Sequence, residues 1–177
     1  YYKAFCDKGG KDFDQNLRQR VRILEQAEND PLFQKHLMES CKEDILFFFN
    51  AFCWLYEPRP RKNKEGKKLP PIIPFITWRH QDPIILQARE ALGFSDVGIE
   101  KGRGEGASWM FILMAIHDWL FEPMSAIGFI SRTELAVDNP EDPDSLFWKA
   151  DWELTKLPSW MVGEKAGVAD KTAKDYS

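Results

Sequence analysis

Lys101-Gly102-Arg103-Gly104-Glu105-Gly106-Ala107-Ser108 puts two cations, three glycines and a hydroxyl into eight residues, directly ahead of a long apolar run. Cations neutralise phosphate oxygens, glycines let backbone N–H groups close around an anion, and a serine hydroxyl can ligate Mg2+. The general phosphate-loop pattern, G-x-x-x-x-G-K-[ST], carries its lysine immediately before the hydroxyl residue. Ala107 occupies that position here, and the charge stands earlier, at Lys101 and Arg103. Lysine's flexible four-carbon stem can carry its ammonium back over bound phosphates. Two other readings remain open at this point. One is a glycine turn that packs against another element with both cations solvated. The other is a dinucleotide turn: the glycines run G-x-G-x-G rather than G-x-G-x-x-G, but Arg132 follows the next apolar stretch, where an arginine can grip the 2′-phosphate of NADP.

A loop of this kind works only if an element on each side aims it. "DVGIEK" before the loop reads as a short strand, "ASWMFILMAIHDWLF" after it as a helix apolar all round, and "SAIGFIS" as a second buried strand. Strand, loop, helix and strand make a βαβ unit with parallel strands and a right-handed crossover. The expected fold is therefore α/β, a partial P-loop NTPase with a parallel sheet and flanking helices, preceded by a helical N-terminal portion.

Upstream, Phe13, Leu17, Val21 and Leu24 fall on one face of a helix over 12–28, and a short helix is expected from Pro31 to about Ser40. "KEDILFFFNAFCWLYEP" reads as one apolar helix ending before Pro58, with Glu43 and Asp44 in its first turn. "EPRPRKNKEGKKLPP" is a basic, proline-bearing loop and a candidate for DNA contact. "IIPFI" could form an edge strand, since Pro74 cannot donate to a ladder. A helix follows in "HQDPIILQAREALGF", closed near Gly93, and a last one runs from about Asp144 to Leu157. The chain divides into a helical portion (1–56), the basic loop (57–71) and an incomplete P-loop core (72–177).

The net charge of -4 carries no global mark of nucleic-acid binding, so the basic loop has to be weighed locally. No apolar run reaches the length of a membrane span, and Cys6, Cys41 and Cys53 form no C-x-x-C pair. The expectation is a soluble cytoplasmic protein with reduced cysteines. His117, inside the apolar helix, reads as a core histidine; the carboxylates from Asp138 to Glu153 read as solvated or helix-capping groups. Tyr1 at the start and a polar end suggest part of a longer protein.

"PFITWRHQDPIILQA", "DVGIEKGRGEGASWMFILMAIHDWLF" and "AIGFISRTELAVDNPEDPDSLFWKADWELTKLPSWM", in that order over roughly 72–161, resemble the large subunit of the phage terminase, the ATP-driven motor that packages viral DNA. The resemblance implies a deviant phosphate loop in which Lys101 and Arg103 neutralise the phosphates of ATP. It implies that backbone N–H groups of Gly102, Gly104, Glu105, Gly106, Ala107 and Ser108 cradle them, that Ser108 ligates Mg2+, and that Gln81 reads the adenine edge. It also implies double-stranded DNA, a portal protein and a small terminase subunit as partners, a homo-oligomeric ring, and a location in the host cytoplasm at the procapsid portal. An Asp-Glu hydrolytic motif and a nuclease domain are expected beyond Ser177, so this stretch alone should not turn over ATP.

Overall fold

The computed structural model describes residues 1–62, 65–102 and 104–163. Short helix α1 (Tyr2–Asp7) leads into α2 (Phe13–Ala27), α3 (Pro31–Glu43) and α4 (Ile45–Phe52). Aspartates start the last three. Asp12, Asp30 and Asp44 each accept the backbone N–H three residues on, at 3.0 Å in every case, which satisfies a donor the helix itself leaves open. Asp44 both closes α3 and opens α4, so the chain turns there without a loop.

The apolar helix expected to run to residue 56 stops at Phe52. Cys53 turns extended, its carbonyl accepts the Phe75 N–H at 2.9 Å, and the next N–H, Trp54, is taken by the buried Glu153 carboxyl at 3.0 Å. Those tertiary partners outcompete helix continuation, and Trp54–Tyr56 becomes β1. It pairs antiparallel with β2 (Ile72–Pro74), the edge strand expected from "IIPFI", with Trp54 opposite Pro74. The basic loop joins the two strands.

Then come α5 (Gln81–Ala91), α6 (Ala107–Phe121), α7 (Glu134–Val137), α8 (Leu146–Leu154) and α9 (Ser159–Val162). The α/β expectation is overturned. The sheet among the described residues is this two-stranded antiparallel one, and neither "DVGIEK" nor "SAIGFIS" is a strand, so there is no parallel sheet and no P-loop NTPase fold. The physical reason lies in α6. An all-apolar helix needs cover on every side, but helices supply it as well as a sheet does. Here α6 packs on α4, α5 and α8. The segments that were to form strands take no regular structure, with Val97 48 % and Ile130 94 % exposed, and Phe129 turns in, against Phe147.

One apolar core, from Phe5 to Val162, draws on both the N-terminal helices and the chain after the basic loop. Phe48 and Phe49 lie at its centre, fully buried, with Phe48 edge-on to Phe121 and Phe49 edge-on to Phe75. No helix among the described residues is long and apolar enough to cross a membrane.

Candidate nucleotide groove

The groove is built from the N-terminal helices outward. Asn50 on α4 accepts the Thr77 N–H through Oδ1 at 3.0 Å and donates from Nδ2 to the Leu46 carbonyl and Thr77 Oγ1. Lys11 Nζ donates to the Thr77 carbonyl, to Thr77 Oγ1 and to Asp82 Oδ1, whose other oxygen accepts the Tyr2 hydroxyl at 2.6 Å. Buried polar groups must find partners, and these find them across three helices and two connecting segments. The segment leading into α5 is thereby fixed to α1, to the turn before α2 and to α4.

Gln81 opens α5 and is only 4 % exposed. Its Oε1 accepts the Trp78 N–H at 2.8 Å and its Nε2 donates to the Glu105 carbonyl at 2.9 Å. The second bond holds the glycine loop. Gly104 and Gly106 both take left-handed backbone, at φ 86 and φ 71, and Gly106 caps α6 with no side chain of its own to accept the first N–H groups. A Cβ on Gly106 would stand 3.4 Å from Gln81 Nε2, so glycine serves there both for backbone sign and for close approach. The Glu105 carboxylate lies 3.3 Å from His80 Nε2. Arg89 on α5 clasps Asp118 and reaches Glu122 at 3.5 Å, locking α5 alongside α6.

An open groove of about 770 Å³ passes the start of α6. From the residues singled out in the sequence, Gln81, Lys101, Gly104, Gly106, Ala107 and Ser108 line it. Gly102 and Glu105 stand back from the walls, with Glu105 approaching Gly102 instead. Arg103 lies outside the described residues. Arg59 and Arg61 of the basic loop, Trp78, Trp109 and Lys149 complete the cationic and aromatic lining.

Lys149 went unnoticed in the sequence. It projects from α8, is 6 % exposed, and sits 3.7 Å from Asp144 Oδ1 and 5.9 Å from the centre of the Trp109 ring. Burial pushes its ammonium below the ordinary lysine value while Asp144 pulls it back up. The sequence signal was its position in "SLFWKADW", one turn past the Ser145 cap, on the face that also buries Glu153. Only packing of α8 on α6 brings it to the glycine loop.

Outside the groove, His117 is buried, as expected of a core histidine. Its Nε2–H donates to the Cys41 carbonyl at 2.8 Å, and burial pushes its pKa down to about 4. Glu153, expected to be solvated, is fully buried, and burial raises its carboxyl to about 8 despite the Trp54 N–H and the charge of Arg20.

The chain is thus a helical protein with a small antiparallel hairpin and a cationic groove at a helix start. No family model matches it, and neither the curated proteins nor the solved structures include a match.

A polyphosphate fits the groove's size and its cations. Its volume lies within the range of small-molecule sites, roughly 300–1,000 Å³, and Lys101, Lys149, Arg59 and Arg61 border it, although Glu57 pairs with Arg59 and Asp144 stands beside Lys149 in the same lining. Mg2+ fits less fully. That ion usually draws one or two carboxylates together with phosphates and water, and no cluster of three His, Cys, Asp or Glu side chains suited to a metal occurs among the described residues. Ser108, exposed at the start of α6, is the residue that would touch the ion, with phosphate oxygens as its main ligands.

Proposed function

We propose that this chain is the nucleotide-binding part of a phage DNA-packaging motor of the terminase type, with ATP held in the groove at the start of α6. The hydrogen bond from Gln81 Nε2 to the Glu105 carbonyl carries the reading, because it joins the glutamine assigned to adenine to the loop assigned to phosphate. A carboxamide has two donor hydrogens and two acceptor lone pairs. Gln81 commits one of each to Trp78 and Glu105, leaving one of each for the adenine amino group and N7. Lys101 and Lys149 would neutralise phosphate charge from opposite walls, and the backbone N–H groups at the start of α6 would meet the oxygens.

The reading rests on the groove and on the resemblance, not on a parallel sheet. Double-stranded DNA is the proposed macromolecular partner, met by the basic loop between β1 and β2. The portal protein, the small terminase subunit and the homo-oligomeric ring belong to the same proposal, as does work at the procapsid portal in the host cytoplasm. The chain alone is expected to bind ATP without turning it over.

Calorimetric titration with ATP and Mg2+ tests this, with NADPH titrated separately. Saturable ATP binding that weakens roughly tenfold in Lys101→Ala and again in Gln81→Ala is the expected result. ATP affinity indifferent to both changes, or binding of NADPH in its place, sinks the reading. If neither nucleotide binds, the exposed Phe94, Met124 and Ile130 favour a protein-docking module instead.

A further inference from the structure

Helix α2 turns its apolar side outward. Phe13, Leu17, Val21 and Leu24 recur every three or four residues, so they form one stripe along the helix. Leu17 is half-buried, while Phe13, Val21 and Leu24 are 47 %, 52 % and 39 % exposed. A single exposed apolar residue needs no explanation, but a row of them on one helix face does.

Polar bonds fix the helix in this rotation. Asn16 donates from Nδ2 to the Gly10 carbonyl at 2.7 Å and to the Asn50 carbonyl at 2.9 Å, Gln19 from Nε2 to the Lys8 carbonyl at 2.7 Å, and Arg20 from Nη2 to the Asn50 carbonyl at 2.7 Å. All three side chains are buried. Turning the stripe inward would break these bonds and strand their carbonyls without donors. Whatever covers the stripe therefore comes from outside.

The charges beside the stripe indicate what that is. Arg18 and Glu25 stand two turns apart on its solvent flank, both exposed, and neither has an ion-pair partner among the described residues. Their midpoint lies beside Val21, the middle residue of Leu17, Val21 and Leu24. An antiparallel copy related by a twofold axis at that level sets Arg18 of each molecule beside Glu25 of the other. The same axis seats Leu24 of each copy between Leu17 and Val21 of the other. Arg22, close to the axis, stands farther round the helix toward solvent and away from its own mate. A flank whose charges complement themselves under a twofold fits a second copy of this chain.

We infer that α2 is the contact of a weak homodimer, two antiparallel copies packed stripe to stripe. Such a contact is isologous and closes at two copies, so it depends neither on nucleotide nor on a ring. One helix face per copy lies at the small end of specific interfaces, about 1,000 Å² in total, and a dissociation constant of roughly 10–100 µM is expected. The exposed ion pairs set register more than strength.

Sedimentation equilibrium of the full chain from about 5 to 500 µM reads the dimer directly. The weight-average mass should climb from that of one chain toward that of two. Val21→Asp, with its helical circular dichroism unchanged, should weaken association at least tenfold. Arg18→Glu brings like charges together and should weaken it roughly fivefold, Glu25→Arg likewise, and both changes in one chain should restore it. A single-chain mass throughout gives the face to a different chain and overturns the inference. Association that survives Val21→Asp, or a double charge variant no better than either single change, overturns it as well. So does association lost instead in Phe94→Ser with Ile130→Ser, which would move the contact to the other bare surface.

Discussion

The two sides of the glycine loop are built in opposite ways. Toward the N-terminus, Gln81 hangs from a network in which Tyr2, Lys11, Asn50, Thr77 and Asp82 satisfy one another across α1, α4, α5 and two connecting segments. The stretches before the loop and after α6, 95–101 and 125–131, take no regular structure, and Phe94 and Ile130 are almost bare. The first region is fixed by buried polar groups that have nowhere else to bond; the second is apolar chain with no layer to join. The groove takes its wall at Gln81 from the first and only Lys101 from the second, so damage to each should read out differently.

Asn50→Ala strikes the fixed side hardest. It leaves the Thr77 N–H without its acceptor inside the core, and about 3 kcal/mol of stability should be lost in urea denaturation. An effect below about 1 kcal/mol would mean that the network is not what holds the segment.

Glu153→Gln comes next and has a pH signature. The folded carboxyl, raised to about 8, binds its proton more tightly than the unfolded one near 4.5. Its stabilisation is therefore complete below pH 4.5 and is lost as pH rises through 8. The variant should not show that loss and should exceed the parent by roughly 2 kcal/mol at pH 9. His117 works the other way over an overlapping window: with its folded pKa near 4, its share is present above about pH 6.5 and lost toward pH 4. Denaturation midpoints across pH 4 to 9 separate the two, because Glu153→Gln should remove the fall that runs from pH 4.5 to 8 and leave the rise that His117 gives between pH 4 and 6.5.

Gly106→Ala probes the join between the regions. Left-handed backbone and the tight approach to Gln81 together should cost about 1–2 kcal/mol. ATP affinity should fall with it, while Gly93→Ala, strained but open in space, should cost stability with no effect on nucleotide. Titration of both variants decides whether the Gln81 contact matters to binding.

The smallest effect belongs to the bare side. Phe94→Ser with Ile130→Ser should alter stability by no more than about 0.5 kcal/mol, since neither ring nor methyls are covered. A larger loss in thermal melts would show that these segments pack after all.

Much of the fixed side was legible beforehand. The helix over α2, the start of α3 at Pro31 and the proline-bearing edge strand follow from local rules, but the expected apolar face of α2 is not the buried one: Phe13, Val21 and Leu24 are exposed, while Asn16, Gln19, Arg20 and Ala27 face the core, where polar partners from α4 and the turn at Gly10 receive them. The loop's glycines were legible too, and two of them do take backbone that other residues avoid. The strands on either side were misread for a reason of range. Short apolar runs satisfy a buried strand and an uncovered extended segment equally well, and only the presence of a neighbouring strand distinguishes them. Lys149 and Glu153 were missed for a related reason: their burial depends on where α8 packs, which no spacing within "LFWKADWEL" encodes.

By itself, then, the sequence determined the helices that became α2 and α3, the edge strand at Pro74, the need for glycine in the loop and the chemistry the loop could do, because these depend on backbone sterics and on contacts one turn away. Tertiary structure decided that α6 is clothed by helices, that the apolar run breaks at Cys53 where Glu153 takes the Trp54 N–H, and that Lys149 lines the same groove as the glycine loop. Each of those is a competition between partners far apart in the chain, and it is settled by which of them the fold brings within hydrogen-bonding or packing distance.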